Sequence, residues 1–328
     1  MKGLAYVAGV AALALGALAA PWTRASAANA YPDRPIHAIV PFPAGGINDL
    51  VARMVFDQLA KTLHGQIIID NRPGAGGMIG SKFAVDSPPD GYTILLGAAS
   101  SMVVAPNMYS KATYHTEKDL IPVGGIGSVP SVMCVPAKSP FKSLGGLIAA
   151  AKAKPYALNY GSAGIGTSHH MQTVLLEQLT GIHMTHVPYK GGAPAMTDLI
   201  GGQIQLLLEP LPTAVPHVKA GDVRALGVTS KARSPLLPTI PTFMQAGVKN
   251  YSATTWFGVF VPVHTPAGLV RKLGNALIKT LDGPALKSRL RERGIEPMPM
   301  DHKAFAKFVA SENVLWKKVI DQGHLKVR

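Results

Sequence analysis

The chain is 328 residues long, 47% of them hydrophobic and 15% charged, with a formal net charge of +14. That length and apolar content exclude intrinsic disorder and leave room for two α/β domains with cores of their own. The basic balance favours anionic partners, yet it argues against nucleic acid, because Lys and Arg are scattered and aromatic residues make up only 6% of the chain.

Residues 1–20 follow the plan of an export signal: Lys2, an apolar run over 4–20 dominated by Ala and Leu, then Pro21 and small residues. Ala25-Ser26-Ala27 and Ala28-Asn29-Ala30 each offer a small-x-small cleavage pattern, so residues 1–30 are expected to be a signal peptide removed near 27–30. An uncleaved membrane anchor is the competing reading, disfavoured because so many alanines make a weakly hydrophobic span. No Cys follows the run, so a lipid anchor is not indicated.

Ile36–Val40 reads as a buried strand and Ile47–Leu63 as an amphipathic helix. Between them lies the Gly-rich turn Pro41-Phe42-Pro43-Ala44-Gly45-Gly46. Strand, turn and helix start make an anion cradle: the first helical turn has unpaired N–H groups and the positive end of the backbone dipole, and glycine lets a ligand approach the main chain. A second strand over 66–70 runs into the turn 71–77 and a short helix ended by Ser87-Pro88-Pro89, and a third strand covers 92–96. Strands separated by helices imply a parallel sheet, whose ligands bind beyond the carboxyl ends of the strands.

The pattern then changes. Extended segments over 123–127 and 129–135 have no helix between them and read as a crossing between domains. Alternation resumes with a helix over 143–154, a strand over 157–161, the turn Ser162-Ala163-Gly164-Ile165-Gly166-Thr167, and a helix over 168–180 closed by Gly181. A strand over 183–187 leads through the turn 189–194 to a helix over 195–201. A strand over 203–209, a helix over 212–220 and a strand over 223–229 follow. The β-rich stretch 251–261 reads as a second crossing, and helices over 266–281, 284–293 and 301–322 complete the chain. Two Gly-rich loops, one in each half, could thus face each other across a cleft. The basic cluster Lys287, Arg289, Arg291 and Arg293 reads as a solvated helix face.

No catalytic signature is present in recognisable form. Tyr160 stands where a G-x-S-x-G elbow around Ser162 needs glycine. The glycines of 161–166 run G-x-x-G-x-G rather than G-x-G-x-x-G, and no G-K-[ST] ends a Gly-rich turn, so no nucleotide cofactor is expected. His183 and His186 have H-x-x-H spacing without further ligands, and no metal site is expected. The single Cys134, in an apolar run, reads as a buried small hydrophobe. For His170 a hydrogen bond across the second loop competes with ligand contact. Asp49 and Glu209 are the carboxylates nearest the inferred cleft, but they fall in separate halves and do not define an acid/base pair. Asp49 in the first turn of a helix also has a purely electrostatic role open to it.

The segments YPDRPIHAIVPFPAGGINDLVAR (31–53), IIDNRPGAGGMIGSKFAVDSPPDGYTILLG (68–97), LNYGSAGIGTSHHM (158–171), HVPYKGGAPAMTDLIGGQIQLLLEPLPTAVPHVKAGDVRALGVTS (186–230) and WFGVFVP (256–262) closely resemble the Bug, or TctC-like, family of extracytoplasmic solute receptors. The resemblance extends over essentially the whole chain after residue 30. It implies a non-enzymatic periplasmic receptor of the type II-like binding-protein fold: an α/β domain from 31–127 plus 253–328, a second from 128–252, two crossing strands as the hinge, and a ligand cleft between. It further implies a monomer that captures a small carboxylate, whether a di- or tricarboxylate, an amino acid or an aromatic acid, and hands it to the membrane subunits of a tripartite tricarboxylate transporter.

Carried over residue by residue, the resemblance points to Phe42, Ala44, Gly45, Gly46 and Asp49 on the first loop, with Asp49 available to an ammonium or a water. On the second loop it points to Ser162, Gly164, Gly166 and Thr167, with Ser100, Tyr189 and Glu209 as further candidates. This chain departs from the family in carrying Glu209 where Asp is common, Ala163 where Pro is common, and Met171-Gln172-Thr173-Val174 in place of smaller residues. A sensory protein of the same fold stays open as an alternative, as does, less readily, an exported enzyme acting on a carboxylated substrate.

Overall fold

Strand β1 (Ile36–Val40) buries Ile36, Ala38, Ile39 and Val40 and sits inside a parallel sheet portion, between β2 (Ile67–Asn71) and β3 (Thr93–Ala98). The computed structural model describes residues 31–251 and 253–327, so the expected signal peptide lies outside the described residues. From Arg34 onward the chain packs as one unit of mixed α/β structure.

Helix α1 (Ile47–Leu63) covers the first sheet portion with Val51, Ala52, Val55, Phe56 and Leu59, the side chains of one helical face. It ends where His64 turns left-handed, and Gly65 N–H caps Ala60 C=O. Helix α2 (Met78–Val85) follows β2. Strand β3 passes into a buried π-helical turn, Ser100–Val104, and the short helix α3 (Ala105–Met108). Tyr114 donates its hydroxyl to Ser101 C=O and Thr116 donates to Met102 C=O, so distant side chains satisfy carbonyls of the turn; the i+4 residue for Met102 is Pro106, which has no N–H to offer.

After α4 (Thr116–Asp119), the two expected extended segments are one 17-residue strand, β4 (Leu120–Pro136). Its first part pairs antiparallel with β9 (Thr254–Pro262), from Leu120↔Pro262 to Pro130↔Thr254. Its last part pairs with β7 (Leu206–Pro210) and β8 (Val223–Val228). The sheet order β2-β1-β3-β9-β4-β7-β5-β6 therefore joins two parallel portions through an antiparallel pair. Here β5 is Asn159–Ser162 and β6 is Thr185–Pro188. Helices α5 (Leu144–Ala153), α6 (Ser168–Thr180), α7 (Gly192–Ile200) and α8 (Leu211–Ala220) belong to the second portion.

The tail, α9 (Ala267–Asp282), α10 (Pro284–Glu292), the two-residue β10 (Glu296–Pro297) and α11 (His302–Gln322), packs back on the central pair. Gly125 and Gly258 are cross-strand partners, and a Cβ on Gly258 would lie 2.1 Å from the Phe305 ring. Glycine there lets α11 pack Phe305 closely against the backbone of both strands, a burial worth roughly 2–3 kcal/mol. Glu312 of the same helix accepts from the indole N–H groups of Trp256 on β9 (2.8 Å) and Trp316 (3.1 Å), tying the tail to the crossing strand.

Candidate functional site

Three helices open onto one cleft of ≈ 570 Å³. Their starts, the loop 42–48 before and into α1, residues 167–169 at α6 and residues 191–194 at α7, all line it. None of the three N-caps, Gly46, Thr167 and Gly191, accepts a side-chain hydrogen bond into the helix. Their first-turn N–H groups are left for whatever occupies the cleft, an arrangement suited to an anion.

The first loop owes its shape to groups beneath it. Gly45 has φ +80°, a conformation that favours glycine, and a Cβ there would meet no atom within 4 Å. Asp49 is buried and does not line the cleft. Its Oδ2 accepts from Gly45 N–H at 3.0 Å and from Arg53 Nε at 2.8 Å, and its Oδ1 accepts from Asn71 Nδ2 at 3.1 Å. Asn71 also donates to Phe42 C=O. Burial pushes the Asp49 carboxyl up, but hydrogen bonds from Arg53, Gly45 and Asn71 and the Arg53 charge outweigh it and hold the group below the usual carboxylate range.

The second loop is shaped by a stack of rings. Tyr160, His186 and His170 lie nearly parallel, with centroids 4.9 Å and 4.2 Å apart in that order. His170 Nδ1 accepts from Gly166 N–H at 3.2 Å, and Ser162 Oγ lies 2.6 Å from His186 Nε2 while accepting from Gly164 N–H. Burial, with the neighbouring His186 adding to it, pushes His170 down to about 3, and burial pushes His186 down to about 4. Both imidazoles are neutral at neutral pH, so His170 presents a lone pair to the loop.

Of the residues singled out in the sequence, Phe42, Ala44, Gly45, Gly46, Ser100, Thr167 and Glu209 line the cleft. Asp49, Ser162, Gly164, Gly166 and Tyr189 do not; they stand behind it. Tyr189 sends its hydroxyl to Asp198 at 2.8 Å. His170 likewise stands behind the loop, as its bond to Gly166 N–H requires.

Several lining residues were not anticipated. His169, at the start of α6, places Nε2 3.0 Å from Glu209 Oε2, and Thr213 donates to Glu209 Oε1. The side chains of Lys190 and Arg293 are exposed at the cleft and have no hydrogen-bond or ion-pair partner among the described residues. Arg289, Arg291 and Arg293 are exposed, as a solvated basic face requires; Arg291 pairs with Glu296 at 2.7 Å, and Arg293, just past α10, also lines the cleft. Lys190-Gly191-Gly192 was legible as a turn before a helix, and applying to it the logic used for the other two loops would have found it. Arg293 carries no such local signal. Among the described residues, no group of three or more His, Cys, Asp or Glu converges as a metal site would.

Residues 51–325 match the family described as "Tripartite tricarboxylate transporter family receptor". The chain is 33% identical over 317 residues to Protein BugT of Bordetella pertussis, covering 96% of each chain. Among solved structures it is similar to Rpa4515 of R. palustris with adipate, at a TM-score of 0.85 and 34% identity, covering 89% of this chain and 97% of that one. It is also similar to MatC of Rhodopseudomonas palustris with bound malate, at a TM-score of 0.82 and 30% identity, covering 88% and 100%.

Proposed function

The chain belongs to the tripartite tricarboxylate transporter receptor family, a family of periplasmic solute-binding proteins, and from that premise we propose that it captures a small carboxylate in the periplasm and delivers it to the membrane subunits of such a transporter. The observation that carries the carboxylate reading is the convergence of three uncapped helix starts on one cleft. Two unpaired cations, Lys190 and Arg293, add to the same preference, against Glu209 as the one acidic side chain among the described lining residues. The adipate and malate bound by two similar proteins support it further.

The carboxylate is held by main-chain N–H groups of residues 44, 46–48, 168 and 169, with Ser100 and Thr167 beside it. Asp49, Ser162, Gly164 and Gly166 act by shaping the loops that hold it. Residues 31–127 with 253–328 form one lobe, 128–252 the other, and β4 with β9 is the hinge on which a monomer closes. Supporting this division, the parallel sheet portions meet only through that antiparallel pair.

Titration calorimetry of residues 31–328 against di-, tri-, amino and aromatic acids tests the reading. Binding of at least one acid, lost in Gly45→Leu, is expected. Failure of every acid to bind would overturn it.

A further inference from the structure

We propose that Glu209 reads a hydrogen-bond donor on the bound acid, so that this receptor selects hydroxy- or amino-substituted carboxylates over plain ones of the same length. The inference rests on the carboxylate reading of the cleft and adds to it the class of acid.

Glu209 is the only Asp or Glu lining the cleft among the described residues. Its position at the end of β7 is fixed: the residue is 4% exposed, Oε2 faces His169 Nε2 at 3.0 Å, and Oε1 accepts from Thr213. His169 Nδ1 is buried with no partner among the described residues. A proton on Nδ1 would be stranded there, so the imidazole of lower cost carries its proton on Nε2 and donates it to Glu209.

A carboxylate can accept about four hydrogen bonds, and the protein supplies two. No Lys or Arg pairs with Glu209 among the described residues, although Lys190 and Arg293 line the same cleft. Gly192 packs closely against Glu209, where a Cβ would come within 3.1 Å and 3.2 Å of the two carboxylate oxygens, and both residues line the cleft. The carboxylate thus keeps lone pairs that only water or a ligand can fill.

Asp49 cannot perform this task. Its oxygens already accept from Gly45, Arg53 and Asn71, and it does not line the cleft. A ligand O–H or N–H beside Glu209 replaces the water it displaces. A plain methylene strips that water and offers nothing, which costs affinity because the acceptor is charged and buried.

Calorimetric titration of residues 31–328 with matched acids tests the inference: succinate, malate and aspartate; glutarate, 2-hydroxyglutarate and glutamate; adipate and 2-aminoadipate. In the series that binds, the donor-bearing acid should bind roughly tenfold to a hundredfold more tightly than the plain one. Glu209→Gln should erase the preference for an amino acid and reduce that for a hydroxy acid. Arg289→Gln, on the exposed face of α10 and outside the cleft lining, should keep both preferences. Plain and substituted acids that bind within threefold of each other, or a Glu209→Gln variant that weakens all of them equally, would overturn the inference and leave the carboxylate reading intact. No binding by any acid would overturn both.

Discussion

Asp49 gives the sharpest distinction between a residue that touches ligand and one that builds the surface ligand touches. In Asp49→Ala, Gly45 N–H loses its acceptor, Asn71 keeps only Phe42 C=O, and Arg53 loses a partner at 2.8 Å. Arg53 is 57% exposed and returns to water, so its share is at most about 1 kcal/mol. The unpaired Gly45 N–H is the larger loss, at about 1–2 kcal/mol. Together these predict about 2 kcal/mol of destabilisation, a fall in Tm of about 3 °C for a chain of this size. Because the loop must be re-ordered when ligand binds, affinity should fall roughly tenfold for every ligand, with or without an ammonium group. Thermal unfolding and calorimetry on the same preparation measure both quantities. An affinity loss confined to amino-bearing ligands, with Tm unchanged, would refute the reasoning and make Asp49 a ligand contact. The carboxyl titrates below its ordinary value of 3.8, so its contribution is present above that pH and is lost only as pH falls through the lower folded value.

Three other perturbations have definite outcomes. Gly45→Leu should abolish ligand binding while costing about 1–2 kcal/mol of stability, since φ is +80° and the side chain projects into open cleft; retained affinity by calorimetry would remove the first loop from the site. His170 and His186 are held neutral in the fold, down to about 3 and about 4, whereas unfolded histidines protonate near 6.5. Their contribution is therefore complete above pH ~6.5 and falls as pH drops toward 4, by up to about 1.4 kcal/mol per unit for each residue. His186→Phe should flatten that decline in urea unfolding between pH ~6.5 and ~4.5, and an unchanged slope would contradict the neutral stack. Glu312 is pushed up by burial, against hydrogen bonds from Trp316 and Trp256 that lower it. Glu312→Leu strands both indole N–H groups and should cost about 2–4 kcal/mol, read by denaturant unfolding followed by tryptophan fluorescence; a loss below about 0.5 kcal/mol would show that the indoles find other acceptors.

Elements fixed by local chemistry were legible in the sequence. Ile47–Leu63 and Ser168–Thr180 have the expected bounds because apolar periodicity, a Gly-rich entry and a left-handed exit all mark the same ends. The α/β class and the crossing strands followed from the alternation and its two interruptions. Features fixed by distant partners were not legible. The π-helical turn at Ser100–Val104 depends on hydroxyls from Tyr114 and Thr116, and neither signal lies in the turn itself. The inward turn of Asp49 depends on Asn71, a residue of the next strand. Arg293 lines the cleft next to Gly294, where a Cβ would come within 2.5 Å of Leu211 at the start of α8. Periodicity could place it at a helix end but not against another element.

The most direct test of the clamp is a crystal structure of residues 31–328 grown with a carboxylate that binds in calorimetry. The predicted result has the carboxylate oxygens within hydrogen-bond reach of main-chain N–H groups of residues 44, 46–48, 168 and 169, directly or through one water. A carboxylate bound elsewhere on the molecule, or held in the cleft by Lys190 and Arg293 alone with both loops unengaged, would contradict it.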